Sequence, residues 1–213
     1  MLERFRAFWT NFFKPIADFL VRRGVSPDAV TLVGTLGVVA GALIFIPQGL
    51  LLVGVLVITA FVFSDLIDGY MARSTGRVSV FGAFLDSTLD RIGDAAIFGG
   101  LAMYYVGPGD NRWWAALAIY CLSMGSVTSY ARAKAESLGM QAKVGIAERA
   151  DRLVLILFVT GVSDLLRILG VDDRVMWLIP FGMWILALAS TVTVVQRVLV
   201  VRRQALAGGV VPE

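Results

Sequence analysis

Histidine is absent from these 213 residues, and cysteine occurs once, at Cys121. The first absence removes the commonest general base, the commonest zinc ligand and every Ser-His or Cys-His nucleophile pair. The second excludes an intrachain disulfide, and Cys121, in an apolar stretch, reads as a small apolar filler. Charge is scarce as well. Asp, Glu, Lys and Arg make up 16% of the chain against 58% hydrophobic residues, with a mean hydropathy of +0.79. A soluble domain carries about a quarter charged residues, so lipid is the expected solvent. Any catalysis must run on carboxylates, lysine, arginine and metal.

What is present divides into apolar runs. Each helical crossing needs about 20 residues, which leaves room for roughly six crossings and no second domain of ordinary size. Before them, Phe5, Phe8, Trp9, Phe12, Phe13, Ile16, Phe19 and Leu20 recur at helical spacing among Arg4, Arg6, Lys14, Arg22 and Arg23. That pattern predicts an amphipathic helix lying in the membrane interface. It lacks a continuous apolar core ahead of a cleavage site, so it is not read as a signal peptide. Ser26 is the expected N-cap and Pro27 the first residue of the next helix. Spans are expected over about 29–47, 50–72, 83–106, 113–135, 152–169 and 175–200, with a turn at Gly107-Pro108-Gly109-Asp110-Asn111. The fold class is thus an all-α integral membrane protein: an interfacial helix in residues 1–25, a six-span domain in 26–203 and a tail from 204.

Basic residues set the orientation. With the N-terminus inside, the outer side holds Arg112, Arg167 and Arg174. The inner side gathers the N-terminal five, Arg73, Arg77, Arg132, Lys134, Lys143, Arg149, Arg152, Arg197, Arg202 and Arg203. Both termini are expected in the cytoplasm of a multi-pass plasma-membrane protein. The pI near 9.3 suits anionic headgroups and substrates better than nucleic acid.

Ionisable residues within spans are costly and suggest function by default. Asp65 and Asp68 are three apart at the inner end of the second span; Asp86, Asp90 and Asp94 are four apart at the start of the third. Those spacings put side chains on one helix face, and the short connection makes the two helices antiparallel neighbours. The carboxylates should converge near the cytoplasmic surface. Like charges so close require compensation, and a pair of hard divalent ions, Mg2+ or Mn2+, supplies it for phosphoryl chemistry. Gly69 and Gly82 allow close approach of a ligand, and Arg73 could grip a diphosphate bidentately.

The run Asp65-x-x-Asp68-Gly69-x-x-Ala72-Arg73, then Gly82-x-x-x-Asp86-x-x-x-Asp90, resembles the signature of the CDP-alcohol phosphotransferase family at all eight positions. The resemblance implies that Asp65, Asp68, Asp86 and Asp90 hold two metal ions. Asp90 would double as the base that deprotonates the acceptor hydroxyl. Gly69, Ala72, Arg73 and Gly82 would cradle the cytidine and diphosphate, with Asp28 of Pro27-Asp28-x-x-Thr31 touching the nucleotide. The hydroxyl would attack the β-phosphorus with release of CMP, and members are typically homodimers. Asp94 lies outside the signature, as a supporting partner or an ion-pair member.

Family members share the donor and differ in the acceptor. A second cluster is the candidate acceptor site: Ser129, Arg132, Lys134 and Glu136, then Glu148, Arg149, Asp151 and Arg152, joined by Arg197. So many cations suggest a phosphorylated alcohol, with Lys143 left to solvent. The blocks Ser129-Tyr130-Ala131-Arg132-Ala133-Lys134-Ala135-Glu136, Ile146-Ala147-Glu148-Arg149 and Val195-Gln196-Arg197 resemble the actinobacterial branch of the family, which joins CDP-diacylglycerol to inositol phosphate. Glycerol phosphate is the alternative acceptor. A cation transporter is a rival of another class, but it predicts carboxylates near the midplane and repeated halves. Neither is legible here.

Overall fold

The computed structural model describes residues 14–76 and 79–208, without the side chain of Asp65. All regular structure among the described residues is helical. The chain forms two compact units, Met1–Gly100 and Leu101–Glu213.

The first unit holds α1 (14–22), α2 (Pro27–Ala40), α3 (Leu51–Val62), α4 (Ser64–Ser74) and most of α5 (Val80–Val106). The expected amphipathic helix is helical over 14–22; its part in residues 3–13 lies outside the described residues. Ser26 caps α2 as the sequence suggests, its hydroxyl accepting from the Ala29 N–H at 3.2 Å, and Pro27 opens the helix. The helix continues through a π-turn at Gly41–Phe45 and a 3-10 turn at Ile46–Gln48, and ends at Gly49, whose φ of 78° is left-handed. The second expected span is not one helix. It is broken at Phe63 into α3 and α4.

α2 packs on α3 and α4. Gly34 lies so close to Ser64 that a Cβ would overlap the Ser64 side chain, and Gly37 stands in the same relation to Phe61. These two glycines let α2 approach the α3–α4 junction, which fixes the register one turn further along. Val38, Ala42, Ile46, Leu51, Val55, Ile58, Met71 and Ile97 form the buried apolar core of this unit.

The second unit comprises the end of α5, α6 (Arg112–Ser137), α7 (Arg149–Ile168), a 3-10 turn at Asp173–Trp177 and α8 (Leu178–Gly208). α8 packs on both α6 and α7. Asn111 caps α6, its Oδ1 accepting from the N–H groups of Trp113 and Trp114 at 3.1 and 3.2 Å, so the expected turn at 107–111 ends where a helix begins.

Pro27–Gln48, Leu51–Ser74 and Asp173–Ala207 are long and apolar enough to cross a membrane. α5, α6 and α7, with 27, 26 and 20 residues, are long enough but less apolar. Large apolar side chains face outward on several helices: Leu36 and Leu56 are 58% and 60% exposed, and Phe158, Phe181 and Leu188 exceed 60%. Apolar surface on this scale fits a lipid solvent.

Candidate active site

In the first unit, the register set by Gly34 against Ser64 brings Thr31 opposite Asp68. The Thr31 hydroxyl donates to Asp68 Oδ2 at 2.6 Å, and it also lies 3.1 Å from the Pro27 carbonyl. Asp68 is buried, 8% exposed. Such a carboxylate needs compensation from neighbours; Arg73 lies within electrostatic reach to supply part of it, whereas Asp86, also within reach, is a like charge that opposes it. The Arg73 guanidinium folds back along α4, its Nη1 3.3 Å from where a Cβ on Gly69 would stand. Ser79, just before α5, accepts from the Gly82 N–H at 2.9 Å, and Asp28 Oδ1 lies 3.5 Å from a Cβ built on Gly82. Asp28 and Thr31, three apart on α2, thus touch the α5 start and α4 respectively. Along α2, Asp28 meets Gly82 and Thr31 meets Asp68 at adjoining points, while Gly69 and Arg73 meet within α4.

The remaining carboxylates follow α5. Asp86 is exposed; Asp90 is half-buried, with its Oδ2 3.9 Å from Arg91 Nη2. Asp94 is 7% exposed. The side chain of Asp65 lies outside the described residues. Among those described, no three acidic side chains stand close enough together to hold a metal ion. The donor chemistry still fits a hard divalent cation: oxygen ligands only, with a buried carboxylate fixed by a neutral hydroxyl.

The second unit gathers the basic cluster. Arg197, 4% exposed, donates from Nε to the Val144 carbonyl at 2.9 Å and from Nη1 to the Thr128 carbonyl. Arg132, Glu136 and Glu148 lie within its electrostatic reach. Arg132 pairs with Glu136 at 3.0 Å on the surface of α6. Arg152 is 2% exposed, its guanidinium lying 3.3 Å from a Cβ built on Gly125. Ser129 donates to the Gly125 carbonyl at 3.3 Å. Lys134 is exposed in the last turn of α6, and Arg149 is half-exposed at the first position of α7.

Thr31 stands in the motif Pro27-Asp28-x-x-Thr31 with no task assigned by the sequence, and its spacing of three from Asp28 is the one signal of its role. Thr193 and Gln204, which fasten the α6–α7 connection, left no signal, because their partners are backbone groups.

Residues 24–195 match the family model for CDP-alcohol phosphatidyltransferase. The chain is 53% identical over 206 residues to a phosphatidylinositol phosphate synthase of Streptomyces avermitilis, covering 96% of this chain and 84% of that protein. A protein of the same name from Cutibacterium acnes is 52% identical over 203 residues, covering 95% and 98%. The crystal structure of the Mycobacterium tuberculosis phosphatidylinositol phosphate synthase with CDP-DAG bound has a TM-score of 0.81 and 41% identity, over 88% of this chain and 92% of that one. The structure of that enzyme with manganese and citrate gives the same TM-score over 88% and 87%.

Proposed function

Because this chain belongs to the CDP-alcohol phosphatidyltransferase family, we propose that it transfers the phosphatidyl group of CDP-diacylglycerol to inositol phosphate, forming phosphatidylinositol phosphate and CMP. The observation that carries the acceptor is the identity of 53% and 52% to two phosphatidylinositol phosphate synthases along nearly the whole chain. The family match alone fits any alcohol.

Asp65, Asp68, Asp86 and Asp90 would hold two divalent ions, Mg2+ or Mn2+. When bound, the ions would neutralise the diphosphate and ease departure of the leaving phosphate. Arg73 grips the diphosphate, with Asp28, Gly69, Ala72 and Gly82 around the nucleotide. Asp90 accepts the proton of the acceptor hydroxyl, whose oxygen forms the new bond to the β-phosphorus. The bond from that phosphorus to the bridging oxygen breaks, and CMP leaves with the bridging oxygen. Thr31 fixes the rotamer of Asp68 through its 2.6 Å donation. Ser129, Arg132, Lys134, Arg149, Arg152 and Arg197 bind the acceptor's phosphate. The Nε and Nη1 of Arg197 are engaged by backbone carbonyls, so its Nη2 is the group offered.

We further infer six crossings, counting α5, α6 and α7, with the interfacial helix in residues 1–25, the catalytic domain in 26–203 and a tail from 204 whose first residues continue α8 to Gly208. Helices of 27, 26 and 20 residues rise about 40, 39 and 30 Å at 1.5 Å per residue, enough for a hydrocarbon core. Both termini and the active site face the cytoplasm, and the enzyme works as a homodimer.

The test is CMP release by purified protein in detergent with CDP-diacylglycerol and Mg2+, offering inositol phosphate, glycerol phosphate and free inositol separately. Release with inositol phosphate alone is expected. Release only with glycerol phosphate would replace the acceptor, and folded protein inactive with all three would sink the reading.

A further inference from the structure

The connection between α6 and α7, residues 138–148, has no regular structure, yet it is fastened at three levels to α8. Thr193 Oγ1 accepts from the N–H groups of Ile146 and Ala147 at 3.1 and 3.3 Å, and donates to the Ala189 carbonyl at 2.8 Å. One turn on, Arg197 Nε holds the Val144 carbonyl at 2.9 Å. Two turns further, Gln204 pairs with Gln141 in both directions: its Nε2 donates to the Gln141 carbonyl at 2.6 Å, and its Oε1 accepts from the Gln141 N–H at 2.9 Å.

Positions 193, 197 and 204 are separated by four and seven, which puts them on one helix face. Their partners run in the reverse order, so the connection lies as an antiparallel strap along α8. Gly145, at φ +145°, lies flat against Thr193, and a Cβ there would overlap the threonine methyl. The strap ends at Glu148, whose N–H donates to Asp151 Oδ2 at 3.0 Å, and α7 begins at Arg149.

We propose that Thr193 and Gln204 are positioning residues for the acceptor. By fastening the strap to α8 they set the α7 N-terminus, and with it Arg149 and Arg152. This rests on the assignment of those arginines to the acceptor phosphate. The Thr193 hydroxyl already accepts from two strap amides and donates to Ala189, and Gln204 is engaged by Gln141 through both its oxygen and its nitrogen, so both serve the strap. Ordering an irregular segment costs conformational entropy, and a segment ordered in advance spares the acceptor that cost on binding.

The test uses the full-length enzyme in detergent with Thr193→Val, Thr193→Ser and Gln204→Ala, and whichever phosphorylated alcohol the wild type accepts. Thr193→Val is expected to raise the acceptor KM about tenfold, with the donor KM within about twofold. Thr193→Ser keeps the hydroxyl and should stay within about twofold of wild type, while Gln204→Ala raises the acceptor KM about threefold. Hydrogen exchange at the Ile146 and Ala147 amides should quicken in the valine variant and not in the serine variant.

Equal rises in both KM values, a kcat loss at constant KM, failure of serine to rescue, or unchanged exchange would each overturn the proposal. If Thr193→Val does not fold, an unchanged acceptor KM in Gln204→Ala overturns it too. A wild type that uses glycerol phosphate would remove the inositol phosphate reading while leaving the strap to be judged on the same KM split.

Discussion

The helices that carry the signature and the basic cluster of the second unit are built by different means. In the first, every candidate side chain stands on a helix or immediately beside one, and helical periodicity does the aiming. Close approach of α2 to α4 at Gly34 and Ser64 and one side-chain bond, Thr31 to Asp68, complete the arrangement. In the second, candidates come from three helices, and the segment between two of them is held by side chains that reach backbone amides and carbonyls. A site aimed by helix periodicity tolerates little change, because each residue's direction follows from its number. A site aimed by a strap can be retuned by altering the fastening alone. That division suits a family with a shared donor and a varied acceptor.

The sharpest break of this contrast is Asp90→Asn. It should lower kcat about 10²–10⁴-fold while leaving CDP-diacylglycerol binding intact, measured by CMP release and by lipid binding; full activity would remove the base assignment. Next in size, Arg152→Ala should raise the acceptor KM about 10–100-fold and leave the donor KM within about twofold. A parallel rise in both would mean that the second unit does not serve the acceptor separately. Arg152→Lys, which keeps a charge, controls for lost packing of the buried group.

Thr31→Val removes the donor to Asp68 at nearly constant volume and should cut kcat/KM for the lipid donor about tenfold, with weaker Mn2+ binding as a readout independent of turnover. The smallest effect belongs to Glu136→Gln. Arg132 and Glu136 pair at the surface with side chains 41% and 48% exposed, so the pair contributes about 0.3–0.5 kcal/mol. The thermal midpoint in detergent should therefore barely move.

The signature was legible because spacings of three and four mean one helix face whatever surrounds them. The helices themselves were legible to within a few residues except the last, which runs on to Gly208 instead of ending near 200, and Ser26, Pro27 and the turn at 107–111 fell where capping chemistry requires. Three of the six expected spans meet the length and apolarity of a crossing. The others are diluted: α5 by charges such as Asp86, Asp90, Arg91 and Asp94, α7 by those at its two ends, and α6, uncharged over 113–131, by its hydroxyl-bearing and aromatic residues. The break at Phe63 was hidden because no proline or glycine marks it. The strap was hidden for another reason: its bonds join residues 46 to 63 positions apart, and a threonine or glutamine that holds a backbone amide looks like any other polar residue in a helix.

The break at Phe63 also alters the electrical surroundings of the first signature aspartate. In an unbroken helix from Leu51 to Ser74 it would lie in the interior, beyond the reach of either end's dipole. Because α4 starts afresh at Ser64, Asp65 is its second residue and stands in a first turn. A carboxylate in a first turn gains about 0.3–1 kcal/mol from the amide dipoles behind it. A short discontinuity in an apolar rod thus makes one of its ends hospitable to anions before any cation arrives.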